Sequence, residues 1–513
     1  MKRYIDKFRG RQGKSLSSQK EDAPGEASTG REAIIREHCL GCDRPVESTA
    51  KVNEEISKAS PEVQKDPKMK TFKRVPTVKQ QIEDVPKYWG TTTDIGEAQL
   101  AILLQHVIQT DYEPHFKLAR RLNGSFNVAY IMESVRGWRI CVRVPACGFP
   151  GRWNDRDADL LRATALGMKY IYENTELPIP QVLAYSADTK NEINAPYTIM
   201  TFLEGKSVTD LWDDLSVTPS VLEARRQKIM HDLANIMRSL ATTTFARAGT
   251  LWFPDDDSPP EVGNSYRLDK AKIFALKREF LEFPPRDSVA ELLRCGQHKR
   301  LIEDRNPGVE HDVATVGVYA LWDVMIEAFL QSGGKQKAGE PEFVLMQSDF
   351  NRQNILADET GKVTGLIDWD CLESIPRCIG WCSLPHWLEV DWCPDYRWPP
   401  EVDFEETPKP DEFDRYRADY AKYMREVCQG RSDSVFTSRS HIYQVLFDSV
   451  ESFAAVECFV YNVLTDILPR SVSYFHTRVD DIGRGGFQVG EREWFEARLV
   501  RYFAPDAEMA AVE

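Results

Sequence analysis

Apolar residues follow two different spacings along this chain, and the changeover near residue 203 divides it. Between 85 and 203 short β-rich or alternating runs dominate. Residues 128–133 and 138–144 are predicted strands beyond the turn Asn123-Gly124-Ser125-Phe126-Asn127, and 182–186 and 197–202 are two more. Helices are predicted at 95–109, where Ala98, Ile102, Val107 and Ile108 recur at partly helical spacing, and at 157–173, closed by Leu177-Pro178-Ile179-Pro180. After Leu203-Glu204-Gly205 the period turns helical. Ile229, Leu233, Ile236, Met237 and Leu240 share one helical face, and 288–302, 313–329, 411–428, 443–468 and 494–503 are further predicted helices. Pro- and Asp-rich connectors at 253–262 and 398–410 separate them, and no internal repeat is visible. The pattern predicts an α+β protein: a small antiparallel sheet with its helix at 85–203, and a large, mainly helical part at 204–505.

Composition narrows the functional classes. Residues 1–80 are rich in Lys, Arg, Ser, Glu and Gly and poor in aliphatic runs, which predicts a disordered N-terminal arm. Lys2, Arg3, Lys7, Arg9, Arg11 and Lys14 make its start basic, so a mitochondrial presequence is the alternative to a cytoplasmic protein; Asp6 and a poor apolar face count against it. The formal charge of −15 disfavours a nucleic-acid partner, which needs a basic face. No bilayer-length uncharged run is expected: 445–468 is interrupted by Asp448, Glu451, Glu457 and Asp466, so no membrane partner is expected. Eleven scattered cysteines suit a reducing compartment. Cys39 and Cys42 could form half a zinc site, but no second half follows at finger-like spacing.

The chemistry concentrates in Leu345-Met346-Gln347-Ser348-Asp349-Phe350-Asn351-Arg352-Gln353-Asn354-Ile355-Leu356 and in Gly365-Leu366-Ile367-Asp368-Trp369-Asp370. A strand at 354–357, a turn at Asp358-Glu359-Thr360-Gly361 and a returning strand at 363–367 would make a hairpin with Asn354 and Asp368 at its open end. Asp349 lies in the loop entering it. Asp349 could orient a hydroxyl and accept its proton, while Asn354 and Asp368 are the hard oxygen ligands that Mg²⁺ prefers. The competing reading is a solvated hairpin with ordinary turn acids.

These residues resemble the catalytic core of the aminoglycoside phosphotransferase family, the small-molecule branch of the protein-kinase-like fold, whose pattern is His-Gly-Asp-x-x-x-x-Asn-Ile-Leu, a short hairpin, then Ile-Asp-Trp. The stretch 343–392, with Pro376-Arg377-Cys378-Ile379-Gly380, is similar to a fungal branch of these proteins. The resemblance spans about residues 85–470. It implies a two-lobed fold, with 85–203 as the nucleotide-binding N-lobe and 204–505 as the C-lobe carrying catalytic loop, metal site and substrate cleft. It also implies ATP and Mg²⁺ as cofactors, Asp349 as the catalytic residue, and Asn354 and Asp368 as metal ligands. Arg143 falls where kinases carry the lysine that grips the phosphates. Backbone groups of Gly124 and Ser125 would approach the phosphates, although the same turn is also an ordinary hairpin turn. Thr201 and Leu203 would offer backbone groups to adenine.

Three positions depart from that pattern. Arg143 replaces the lysine, and its fork is larger and reaches differently. Thr164 stands where the partner glutamate belongs, with Asp157 or Asp159 as substitutes if the register slips. Gln347 stands in place of the histidine, where it can donate similar hydrogen bonds. Five tryptophans, Trp369, Trp381, Trp387, Trp392 and Trp398, interleave with Asp370, Glu373, Glu389, Asp391 and Asp395. They read either as core packing or as an aromatic cage for a cationic substrate. Ser374-Ile375-Pro376-Arg377 replaces the Gly-Asp-Pro stretch of drug-modifying members, so an aminoglycoside substrate is not expected. The expected function is ATP- and Mg²⁺-dependent phosphoryl transfer to a hydroxyl of a small molecule. The alternative, from the three departures, is a catalytically impaired nucleotide-binding pseudokinase that serves as a scaffold.

Overall fold

The computed structural model describes residues 90–108, 115–268, 278–304, 312–332, 341–394, 396, 409–429, 432–468 and 472–506. The expected N-terminal arm, Cys39, Cys42, Asp395 and Trp398 lie outside them. Two compact units divide the described residues: one drawn from Phe72–Pro150 and Leu183–Met200, the other from Gly151–Val182 and Thr201–Glu513.

The smaller unit packs helix α1 (Glu97–Ile108) with an antiparallel sheet. Its strands are β1 (Phe116–Asn123), β2 (Asn127–Ser134), β3 (Arg139–Pro145), β4 (Val182–Ser186) and β5 (Tyr197–Thr201), in the order β1-β2-β3-β5-β4. Alternation sets the faces. Ile140, Val142 and Val144 are buried with Leu100, Leu103 and Leu104 of α1, so Cys141 and Arg143 take the opposite face of β3. Strand β1, Lys117-Leu118-Ala119-Arg120-Arg121, escaped the sequence reading because its charged residues mask any alternation. The Asn123–Asn127 turn therefore joins β1 to β2. The β2–β3 hairpin closes separately at Gly137, whose φ of +80° suits a residue without a Cβ.

Helix α2 (Asp155–Asn174), capped by Asn154, is grouped with the larger unit rather than with the sheet, unlike the expected boundary at 203. In that unit β6 (Lys206–Ser207), α3 (Val208–Trp212) and α4 (Pro219–Met237) come first. Strands β7 (Thr244–Phe245), β8 (Gly249–Trp252) and β9 (Glu261–Gly263), a hairpin of β10 (Ser265–Leu268) and β11 (Phe280–Phe283), and helices α5 (Val289–Asp304) and α6 (Val313–Gln331) follow. Next are strands β12 (Phe343–Leu345), β13 (Ile355–Ala357), β14 (Val363–Leu366) and β15 (Glu373–Pro376). The unit ends with helices α7 (Pro410–Val427), α8 (Ser440–Asp448), α9 (Phe453–Ile467), α10 (Val472–Gly485) and α11 (Glu491–Tyr502).

Two expectations are corrected here. The single helix predicted at 443–468 is two, α8 and α9, because Ser452 caps a new helix by accepting the Ala455 N–H. Among the described residues the most apolar helix is α6, not the 445–468 stretch: it has the length and composition to cross a membrane, with Asp323 and Glu327 as its charges. Here α6 is a core helix. Leu321, Trp322, Met325, Ile326 and Phe329 are fully buried, and Gly317 lets the α10 backbone approach so closely that an added Cβ would meet the Val479 carbonyl oxygen at 2.0 Å.

Candidate active site

Two small sheets of the larger unit set up one corner. Strand β12 runs between β7 and β15 and ends at Leu345, so the chain leaves a buried strand directly into Gln347-Ser348-Asp349. Strands β13 and β14 form the predicted hairpin, with Ile355 opposite Leu366 and Leu356 opposite Gly365. At its open end the Ile367 N–H donates to the Asn354 carbonyl at 2.9 Å, which sets Asp368 beside Asn354. Gly361 turns the hairpin at φ +88°, against the Arg225 backbone.

Side-chain bonds tie Asp349 to this corner. Asn354 Nδ2 donates to Asp349 Oδ2 at 2.7 Å and to its carbonyl at 3.0 Å. Gln353 Nε2 donates to the same Oδ2 at 3.0 Å. Asp349 Oδ1 is buried with no partner among the described residues. A carboxylate fixed through one oxygen, with the other left over, has a direction. Gln347 is fully buried and donates through Nε2 to the Ile367 carbonyl at 2.6 Å, binding the strand before Asp349 to the strand before Asp368. Gln347 therefore makes the kind of bond expected of it. Asp368 itself sits in left-handed backbone, φ +62°, which turns the chain out of β14.

The structure thus brings Asp349, Asn354 and Asp368 to one corner. Two carboxylates and an amide oxygen suit Mg²⁺, which takes one or two protein carboxylates and completes its shell with water and phosphate oxygens. Among the described residues no group of three His, Cys, Asp or Glu side chains could hold a metal by itself. Asp349 Oδ1 and Gln347 Oε1 are the buried oxygens of the corner that have no partner among the described residues, and a further group would satisfy the former.

The expected nucleotide-binding residues divide between the units. Arg143, Gly124 and Ser125 belong to the smaller one. Gly124 does not offer its N–H to phosphate as expected, because it closes the β1–β2 turn by donating to the Asn127 carbonyl at 2.9 Å. Arg143 lies on β3 opposite Ala129 and opposes the burial that pushes the Cys141 thiol up to about 11. Thr201 likewise has its N–H committed, to the Gln181 carbonyl at 3.0 Å, while its hydroxyl accepts the Gln181 N–H at 2.9 Å. Leu203 packs on the hairpin, its Cδ1 2.6 Å from where a Cβ on Gly365 would stand.

The possible acidic substitutes on α2 are engaged elsewhere. Asp157 pairs with Arg278 at 2.9 Å, and burial raises its carboxyl against that partner; Asp159 meets Arg156 at 3.3 Å. Thr164 instead accepts the Cys371 N–H at 3.4 Å. The aromatic cage is absent among the described residues. Trp369, Trp381, Trp387 and Trp392 are buried, and Trp381 Nε1 donates to Asp433 at 3.0 Å. Asp391 pairs with Arg417. Burial pushes the Glu389 carboxyl well up, with Asp448 adding to the rise and Arg417 opposing it. Gln353 and Ser348 are the site residues that sequence reasoning overlooked; both sit inside the motif and were legible as hydrogen-bonding side chains. Thr164 stood out in the sequence only as a departure from the family pattern, and nothing local marks its bond to Cys371.

Residues 155–379 match the model of the phosphotransferase enzyme family, APH. A subtelomeric hrmA-associated cluster protein of Aspergillus fumigatus is 27% identical over 150 residues, 29% of this chain and 27% of that protein. The mitochondrial protein "altered inheritance of mitochondria protein 9" of Candida tropicalis is 30% identical over 165 residues, 32% of this chain and 24% of that one. The chain thus matches about a quarter of the length of these curated relatives. Among solved structures, a thermostable mutant of aminoglycoside phosphotransferase APH(4)-Ia with AMP-PNP and hygromycin B aligns over 76% of this chain and 98% of its own, at 14% identity and a TM-score of 0.38. A putative fructosamine-3-kinase from Thermobifida fusca aligns over 75% and 99%, at 13% identity and a TM-score of 0.38.

Proposed function

We propose, from the match of residues 155–379 to the phosphotransferase enzyme family model, that this protein transfers the γ-phosphate of ATP, with Mg²⁺, to a hydroxyl group of a small molecule. The observation that carries the reading is the asymmetry of Asp349: Oδ2 is held by Asn354 and Gln353, while Oδ1 is buried and unpartnered. In this reading the free oxygen accepts a hydrogen bond from the acceptor hydroxyl and takes its proton as the phosphoryl group arrives. Asn354 and Asp368 would hold Mg²⁺, which when bound neutralises charge on the β- and γ-phosphates. Arg143 is proposed to pair with the phosphate chain, with Ser125 beside it and the Leu203 backbone against the adenine. Gly124 and Thr201 would contribute shape rather than N–H donors, since both N–H groups are already bonded. Because such catalysis rests on positioning and charge stabilisation, the bonds that orient Asp349 are as important as the carboxylate itself.

The cytoplasm is the proposed compartment, in keeping with eleven cysteines scattered along the sequence without a paired framework. Localisation of a C-terminally tagged chain to mitochondria would instead align it with its Candida relatives. The activity is tested by Mg²⁺-dependent ATP turnover against a panel of hydroxylated metabolites, comparing wild type with Asp349→Asn and Asp368→Ala. Turnover confined to the wild type supports the assignment; equal turnover in all three removes it. Stabilisation by ATP with no phosphorylated product from any acceptor would point to the scaffold reading instead.

A further inference from the structure

The loop that carries Asp368 is held in an uncommon shape. Asp368 at φ +62° and Cys371 at φ +52° both occupy left-handed backbone, and neither is glycine. Residues with a Cβ avoid that region, so such a loop persists where its surroundings over-determine it. Two hydroxyls from separate parts of the larger unit grip it. Ser348 Oγ, one residue before Asp349, donates to the Asp370 carbonyl at 3.0 Å. Thr164 Oγ1, on α2, accepts the Cys371 N–H at 3.4 Å. Thr164 is itself buried, between Ala163 and Ala165. One turn along, Gly167 lets Leu372 pack against α2, with an added Cβ 3.4 Å from Leu372 Cδ2. The loop's remaining exit is pinned by the Leu251 N–H, which donates to the Leu372 carbonyl at 3.0 Å.

We propose that Thr164 and Ser348 are positioning residues for Asp368: together they hold loop 368–371 in its left-handed shape and so set where the Asp368 carboxylate meets the metal. This rests on the reading of Asp368 as a Mg²⁺ ligand. Ser348 makes the loop answer to the position of Asp349, and Thr164 makes it answer to the position of α2. A helix without the expected glutamate thus still addresses the site, through a backbone hydrogen bond instead of an ion pair.

The test uses the full chain with Mg²⁺ titrated against fixed AMP-PNP and read by thermal shift. Thr164→Val keeps the side-chain shape and removes the acceptor; Ser348→Ala removes the donor at an exposed position, where folding is not at risk. Each should raise the half-saturating Mg²⁺ concentration by roughly five- to tenfold, the worth of one such hydrogen bond. The ligand-free melting temperature of Ser348→Ala should stay at the wild-type value, and Thr164→Ser and Ser348→Thr should restore the wild-type Mg²⁺ dependence. An unchanged Mg²⁺ half-point in both variants overturns the inference while leaving the phosphotransferase reading standing, and so does a lower ligand-free melting temperature with no change in that half-point. A wild-type chain that shows no Mg²⁺-dependent stabilisation by AMP-PNP overturns both.

Discussion

Asp349 and Asp433 stand in the same unit, and their surroundings treat them in opposite ways. Both oxygens of Asp433 are taken: Arg377 Nη1 reaches them at 2.8 and 2.9 Å, and Trp381 Nε1 adds a third bond at 3.0 Å. The Arg377 and Asp433 side chains are both almost wholly buried. Asp349 has one oxygen that accepts two hydrogen bonds and another that is buried without a partner among the described residues. A desolvated charge whose every valence is met holds the protein together. In the proposed function, the oxygen left over on Asp349 is the one that meets a group from outside the protein.

That contrast can be broken experimentally. Asp349→Asn should lower turnover by about 10²–10⁴-fold, the usual span for losing a positioned general base, with no loss in denaturant-measured stability. Asp433→Ala should do the reverse. Leaving the Arg377 guanidinium unpaired in the core should cost about 3–5 kcal/mol of unfolding free energy, whereas Arg377→Met with Asp433→Leu should recover most of it. If Asp349→Asn destabilised the fold as much as Asp433→Ala does, the distinction between the two carboxylates would fail.

Smaller effects sharpen the picture. Gln347→Ala removes the donor to the partly buried Ile367 carbonyl and should cost about 1–3 kcal/mol, while Gln347→His, which retains a donor, should cost less; urea unfolding of the pair compares them. A pH-dependent test comes from Asp448. Burial lifts its carboxyl from 3.8 to about 7; Gln444 opposes the rise, Glu451 adds to it, and Arg267 opposes it. The folded form therefore binds the proton more tightly than the unfolded chain. Its contribution to stability is complete below pH about 4 and is lost as pH rises through about 7. Asp448→Asn should flatten the stability curve over that window, though only in part, since Glu389 shifts in the same direction.

Legibility followed the range of the interactions. The β13–β14 hairpin was readable because a turn with Gly361 between two apolar runs is a local signal, and its register delivered Asn354 and Asp368 to the same end. Strand β1 was hidden because a strand with most of its positions facing water can carry Lys and Arg and lose its alternation. The break between α8 and α9 was masked by apolar residues on both sides of Ser452. The tryptophan cluster was ambiguous in sequence because cage and core draw on the same residues; only burial separates them.

What the order of residues decided alone was the chemistry on offer: an Asp, an Asn and a second Asp brought near one another by a short hairpin, within a stretch of family-like pattern. Those choices are local, and backbone geometry over a few residues enforces them. Tertiary packing decided which of their atoms stay available. That Thr201 spends its N–H group on the Gln181 carbonyl, that Thr164 on α2 meets Cys371, and that one oxygen of Asp349 goes without a partner among the described residues depend on contacts between residues that folding alone makes neighbours. Hydrogen-bond capacity belongs to a residue, but whether it is already used depends on everything packed around it.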